Sequence, residues 1–344
     1  MEEEEAEAEL SSSVFVDLRH VACGLAHTLT VDAEGNVWSL GSNFDGQLGI
    51  ATKEYDCSAP QRVELDVFVV SVACGFFHSG CVDTQNRLWT FGSNNLGQLG
   101  VGDKNNRRKP TLVDNLPVAT ISCGANHTVC IDPSGDVWSF GSNEKGQLGL
   151  GDSRNRTHPS KISSLHNVIS VTTGYAHSVF LTEAKQCFIA GAKLFKSGKA
   201  KKPMLIRNIG NVTAIASLQY LVLMLTEEKE IYGIGESKHS QSRVGIFRKI
   251  SPKKLFWNEG EAYPVAISSG YAHGVIIDSS GCLWTFGGGP NGTIIPLTKL
   301  EEVGCITDCS SGGSHVMIKN SEGEIWVWGD SELGQLGERR FFPK

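Results

Sequence analysis

The sequence predicts an all-β fold, a seven-bladed β-propeller of four-stranded blades, and three observations carry that prediction. A Gly-x-x-His step recurs at Gly24/His27, Gly75/His78, Gly124/His127, Gly174/His177, Gly270/His273 and Gly312/His315, with an eroded copy at Ser217-Leu218-Gln219-Tyr220. The anchor positions 27, 78, 127, 177, 220, 273 and 315 are separated by 51, 49, 50, 43, 53 and 42 residues. Each unit reads as about four short strands without helical periodicity. A period of this size marks supersecondary units that bury their apolar faces only by stacking on one another.

The first repeat shows how each element arises. His27, Leu29 and Val31 alternate with Thr28 and Thr30, the pattern of a strand with one face in the core. Asp32-Ala33-Glu34-Gly35-Asn36 supplies turn residues. Val37-Trp38-Ser39-Leu40 is the returning strand of a hairpin. Gly41-Ser42-Asn43 breaks it, and Gly46-Gln47-Leu48-Gly49 forms a compact loop. A less regular stretch then passes Pro60 to Val69-Val70-Ser71-Val72-Ala73, the strand that enters the next anchor.

A ring of sheets must close or leave bare edges. The C-terminal repeat ends after Gly334-Gln335-Leu336-Gly337 and Pro343, one strand short, whereas residues 14–22 read as a strand without a repeat of its own. The expectation is that the N-terminal strand completes the last blade. The domain reading is an acidic, disordered leader over residues 1–11 and a single propeller over residues 12–344.

Of 344 residues, 40% are hydrophobic and 20% charged, with a formal net charge of −6, which suits a large buried core. No apolar run reaches the roughly 20 residues that span a bilayer. Six of the first ten residues are Glu, unlike a signal peptide. Of the ten cysteines, Cys23, Cys74 and Cys123 recur at one repeat position, where blade separation forbids pairing. They read as small buried thiols in a reducing compartment, hence a cytoplasmic or nuclear location.

The combined pattern, Cys-Gly-x-x-His, then Asp-x-x-Gly-x-Val-Trp-Ser-x-Gly-Ser-Asn, then Gly-Gln-Leu-Gly, stands most fully at Cys23 to Gly49, Cys74 to Gly100 and Cys123 to Gly149. It resembles the repeat of the regulator of chromosome condensation family and covers nearly everything after the acidic leader. The resemblance implies a seven-bladed propeller. Its founding member exchanges guanine nucleotide on the GTPase Ran and binds nucleosomes; others are exchange-like regulators, ubiquitin-ligase modules, photoreceptors or scaffolds. Fold follows from such membership, and function only loosely.

The recurring histidines share strand faces with apolar residues, His127 with Val129 and Ile131 for example, and a residue repeated once per blade serves the blade. Trp38, Trp89, Trp138, Trp284 and Trp326 share one position and read as core by the same argument. Photoreceptor members carry extra tryptophans inside the Gly-x-x-His step, where this chain has Leu25, Phe76, Ala125, Tyr175 and Tyr271. Light sensing is therefore not expected. Cys305, Cys309 and His315 lack the second ligand pair of a structural metal site. Gly287 to Gly292 lacks the Gly-Lys-Ser/Thr ending of a phosphate loop. No metal, no cofactor and no enzyme chemistry are expected.

The departures from the repeat are more informative. Blades four to six lose Gly-Gln-Leu-Gly, and Phe188 and Tyr232 replace the Trp in blades four and five. From Lys185 to Lys254, fourteen Lys or Arg face four Glu, a net of +10, so the rest of the chain carries −16 within a total of −6. The densest stretches are Lys196, Lys199, Lys201 and Lys202, then Arg248, Lys249, Lys253 and Lys254, followed by Phe256 and Trp257. One reading is drift, with lysines on solvated loops. The other is a docking surface in which Lys199, Lys201, Lys202, Arg248, Lys249, Lys253 and Lys254 form a basic rim around the apolar anchors Phe256 and Trp257.

Two functions stay open. The first is a non-catalytic interaction propeller, a monomeric scaffold or regulatory adaptor for a protein partner. The alternative is a guanine-nucleotide exchange factor or regulator of a small GTPase. The resemblance implies that exchange on Ran uses a wedge inserted in the propeller, and the even spacing leaves no such insertion. The acidic balance argues against DNA or nucleosomes, which bind through neutralised phosphates.

Overall fold

The computed structural model describes residues 20–191, 200–235, 253–254, 262–270, 273–288, 294–300, 303–329 and 332–336. They form seven antiparallel sheets arranged as a β-propeller. Blade one runs outward from the axis as His20–Cys23, His27–Val31, Val37–Ser42 and Asp56–Arg62. Blades two to six repeat this order with four strands each. Blade seven has three strands among the described residues, Ile306–Ser311, His315–Asn320 and Ile325–Gly329.

Hydrophobic patterning suggests one buried face for the second strand, but every residue of His27–Val31 is buried, and likewise in His127–Ile131. The blade is sandwiched, so its second strand packs against a neighbour on both sides. Among the described residues one apolar cluster fills each of the seven junctions. Leu29, Val31, Val63, Val69 and Phe91 join blades one and two; Val179, Ile189, Val222 and Ile234 join four and five. The core is a set of seven inter-blade seams.

Two devices shape each blade. The hairpin turn after the second strand needs one left-handed residue, supplied by Gly35, Gly135, Gly281 and Gly323, and by Asn86, Lys185 and Lys229 at the same place in blades two, four and five. The outermost strand carries a bulge, and a proline sits inside it: Pro60, Pro110, Pro159 and Pro203 fall between the shifted pairs of blades one to four. Proline lacks a ladder donor, and a bulge on an outer strand is where that omission is tolerated.

The ring is shut. Gly313 N donates to Gly24 O at 2.8 Å and Cys23 N to Ser310 Oγ at 2.9 Å, while Cys23 packs with Met317, Val327 and Leu336. The N-terminal segment contributes to this seal from its own blade: His20–Cys23 pairs with His27–Val31 as the innermost strand of blade one and packs on blade seven. It turns back on its own hairpin because the Gly24-to-His27 step follows directly. The rest of the expected closing strand, residues 14–19, and the leader over residues 1–11 lie outside the described residues.

Candidate functional site

The Gly-x-x-His step builds an inter-blade clasp. His27 Nε2 lies 2.9 Å from Ser79 Oγ, His78 Nε2 3.0 Å from Thr128 Oγ1, His127 Nε2 3.0 Å from Ser178 Oγ, and His315 Nε2 3.0 Å from Thr28 Oγ1. Each hydroxyl also donates to a carbonyl of the preceding blade's Gly-Gln-Leu-Gly loop, at Gln47, Gln98, Gln147 and Gln335. A hydroxyl has one proton, and here the carbonyl takes it. The histidine must therefore donate from Nε2, which fixes the neutral tautomer with Nδ1 bare. Nδ1 is without a hydrogen-bond partner in all four rings. The anchor glycine has its reason here too: a methyl on Gly24, Gly75 or Gly124 would overlap the following histidine ring.

Burial pushes these imidazoles far below the usual range, to about 3 at His27, His78 and His315 and about 4 at His127. Such groups neither take up a proton near neutrality nor face substrate. They are latches.

The clasp fails along the irregular arc. In blade five the step is Leu218 to Leu221, one residue later than the spacing suggests: Leu218 N donates to Leu221 O, and Leu221 pairs with Gly235 as His27 pairs with Gly41. Glycine and histidine are lost together, as the packing demands. Val222 and Val316 then occupy the places of the clasping hydroxyls opposite His177 and His273. Both ring nitrogens of His177 and Nε2 of His273 have no hydrogen-bond partner.

The recurring tryptophans are half-buried rather than core, and in four of the five the indole N–H is tied to the aspartate that opens the hairpin turn. Trp38 donates to Asp32 at 2.9 Å, Trp89 to Asp83 at 3.1 Å, Trp138 to Asp132 at 3.0 Å and Trp284 to Asp278 at 2.8 Å. Burial alone would raise the Asp32 carboxyl, but the bonds from Trp38 and Asn36 more than offset it and hold it below its ordinary value. The thiols of Cys23 and Cys123 are buried and pushed up to about 12, so they are inert. His315 is committed to Thr28, and Cys305 is exposed while Cys309 is half-buried.

Of the predicted docking residues, Lys201 and Lys202 lie exposed on Ala200–Leu205, the outermost strand of blade four. Lys253–Lys254 forms the outermost strand of blade five, paired with Tyr232 and Gly233. The two stretches thus occupy the rims of neighbouring blades. Lys199, Arg248, Lys249, Phe256 and Trp257 lie outside the described residues. Sequence reasoning passed over Met204 and Leu205, 46% and 37% exposed beside Lys201 and Lys202. Their signal was an apolar pair on an outer strand. The rim strand is anchored, since Gly151 N donates to Lys201 O at 2.7 Å.

At the axis, Phe76 of blade two meets Tyr175 of blade four with planes inclined by 55°, and Tyr175 meets Tyr220 of blade five edge to face, with centroids 5.6 Å apart in each pair. They lie beside a narrow cavity of about 200 Å³ lined by the anchor glycines, and none of its described lining residues is charged.

With this geometry in place, the relatives are informative. Over 93% of its length the chain is 28% identical to an X-linked retinitis pigmentosa GTPase regulator homolog of Caenorhabditis elegans, and spans only 24% of that protein. Its fold matches human WBSCR16 with a TM-score of 0.80 at 20% identity, covering 89% of this chain and 88% of that one. It matches Prp20p of Saccharomyces cerevisiae, a protein described with its binding properties to Gsp1p and histones, with a TM-score of 0.74 at 21% identity, covering 86% and 80%. The family model of the RCC1-like domain matches residues 9–198, more than half of the sequence, and the chain belongs to that family.

Proposed function

We propose that this chain is a non-catalytic propeller that regulates by docking a protein partner on the basic rim of blades four and five. The supporting observation is a division of labour. All six anchor histidines are buried and four of them are spent on neighbouring blades, whereas Lys201, Lys202, Met204 and Leu205 stand exposed on an outer strand. Apolar contacts within a basic rim suit an acidic partner, steered by charge and weakened by salt. Reversing Lys201, Lys202, Lys253 and Lys254 to Glu tests this. Partner capture from the source cells should fall while the melting temperature stays within about 2 °C; undiminished capture overturns the reading.

The second reading is regulation of a small GTPase, by exchange or otherwise, in the cytoplasm or nucleus. It is favoured by the similarity to a GTPase regulator homolog and by the likeness to Prp20p. Release of fluorescent GDP from a panel of small GTPases separates the two. Acceleration of one GTPase by about tenfold or more, the scale of true barrier lowering, would replace the adaptor reading with exchange. The net charge of −6 argues against nucleic acid in either case.

A further inference from the structure

Blade one breaks the repeat at one exposed spot. In blades two and three the loop before the outermost strand is closed by an asparagine side chain: Asn94 N donates to Asn106 Oδ1 and Asn143 N to Asn155 Oδ1, both at 2.8 Å. The equivalent residue in blade one is Tyr55, whose backbone oxygen takes Asn43 N at 2.6 Å. The main chain does the closing, and the tyrosine side chain is released to solvent. The residue after the asparagine is Phe44 where blades two and three have Asn95 and Glu144. Phe44 and Tyr55 stack, with centroids 5.1 Å apart and planes inclined by 24°, yet they are 55% and 61% exposed.

The loop that presents them is fixed from behind. Arg108 of blade two donates to Asn43 O at 3.3 Å, Thr52 O at 3.2 Å and Phe44 O at 3.1 Å, and Asn43 Nδ2 donates to Glu54 O at 3.2 Å. Its positive charge is thereby turned onto backbone carbonyls. What flanks the rings is acidic: Glu54 and Asp56 are exposed, Asp45 is half-buried and accepts from Asn106 Nδ2, and Lys53 is the single base between residues 44 and 56. Two exposed rings held rigid serve no packing purpose, and their ordering cost is already met before any partner arrives.

We infer that Phe44 and Tyr55 form a docking site on blade one for an arginine-bearing extended segment of a partner protein. A guanidinium lies flat on an aromatic face while its fork of N–H donors reaches a carboxylate, which here Glu54 or Asp56 supplies. An apolar segment would bury those carboxylates unpaired, and an acidic one would be repelled. Lysine satisfies the charge but neither the stack nor the fork. This site is separate from the basic rim of blades four and five and opposite to it in charge.

The test uses fluorescence anisotropy at physiological salt with two capped, labelled peptides, one alternating arginine and glycine and one alternating lysine and glycine. The full chain is compared with Phe44→Asn/Tyr55→Asn, which installs the residues blade two carries and should keep the loop, and with Glu54→Gln/Asp56→Asn, which leaves the rings intact. The arginine peptide should bind the native chain about tenfold tighter than either variant, and clearly tighter than the lysine peptide. Equal binding of the arginine peptide by the native chain and both variants, or equal affinity for the two peptides, overturns the assignment. A ring variant that no longer melts cooperatively leaves the carboxylate variant to decide on the same criterion.

Discussion

His27 and Ser79 are joined across the first blade junction by a 2.9 Å contact in which the histidine donates, because Ser79 gives its own proton to Gln47 O at 2.8 Å. The same three-part latch recurs at the junctions of blades two with three, three with four and seven with one. These are the junctions whose leading blade keeps Gly-Gln-Leu-Gly.

Removing the middle of a latch leaves two buried groups unpaired. Ser79→Ala should cost about 2 kcal/mol, the scale of stranding buried polar partners, seen as an earlier midpoint in urea unfolding. The converse tests the logic harder. Val222→Thr places a hydroxyl opposite His177, whose two ring nitrogens have no partner. Valine to threonine in a core normally destabilises, whereas here the change should be neutral or stabilising by up to about 1 kcal/mol. A loss of stability at both sites would break the equivalence of the two junctions.

Acid should unlock the ring. His27, His78, His177 and His315 are held near 3 and His127 and His273 near 4, all chiefly by burial, against about 6.5 in the unfolded chain. The unfolded chain thus binds more protons, so stability is complete above pH 6.5 and falls as the pH drops toward 4. Six such groups imply a loss of about 6 kcal/mol between pH 6.5 and 5.5, measurable by urea titration at each pH. His177→Leu, which copies Leu221 of blade five, should lessen that loss by about 1 kcal/mol over the same interval. A pH-independent midpoint over this range would contradict the burial of neutral imidazoles.

Trp326 is the recurring tryptophan whose indole N–H is buried without a partner. Asn320 stands where the other Trp-bearing blades have aspartate, and its amide donates to Glu324 at 2.7 Å instead of accepting from the ring. Asn320→Asp with Glu324→Asn rebuilds the arrangement of Asp32, Asn36 and Trp38. Calorimetry should show a gain of about 1 kcal/mol, one buried hydrogen bond. An unchanged melting temperature would mean that the indole finds its partner by another route.

The repeat made the ring legible because glycine, histidine, aspartate and tryptophan each answer a local packing demand that recurs every blade. What could not be read is what each residue meets across a junction. Thr28 looks like the outward face of a half-buried strand, yet it is buried between His315 and Gln335, some three hundred residues away along the chain. The eroded step illustrates the limit: Tyr220 is polar-tipped and falls at the expected spacing, but strand pairing with Gly235 puts Leu221 in the histidine's place. The candidate site was legible in charge and not in geometry. The lysine runs marked the rims of blades four and five, while Phe44 and Tyr55 sit in an otherwise regular repeat where neither charge nor spacing draws notice.

The histidines are neutral latches, and nitrogen-detected NMR of the imidazoles tests that directly. His27, His78, His127 and His315 should show the Nε2-protonated neutral form from pH 7.5 down to the onset of unfolding. Titration of these rings near pH 6.5 in the folded protein, or a proton on Nδ1, would contradict the latch and return the histidines to the candidates for chemistry.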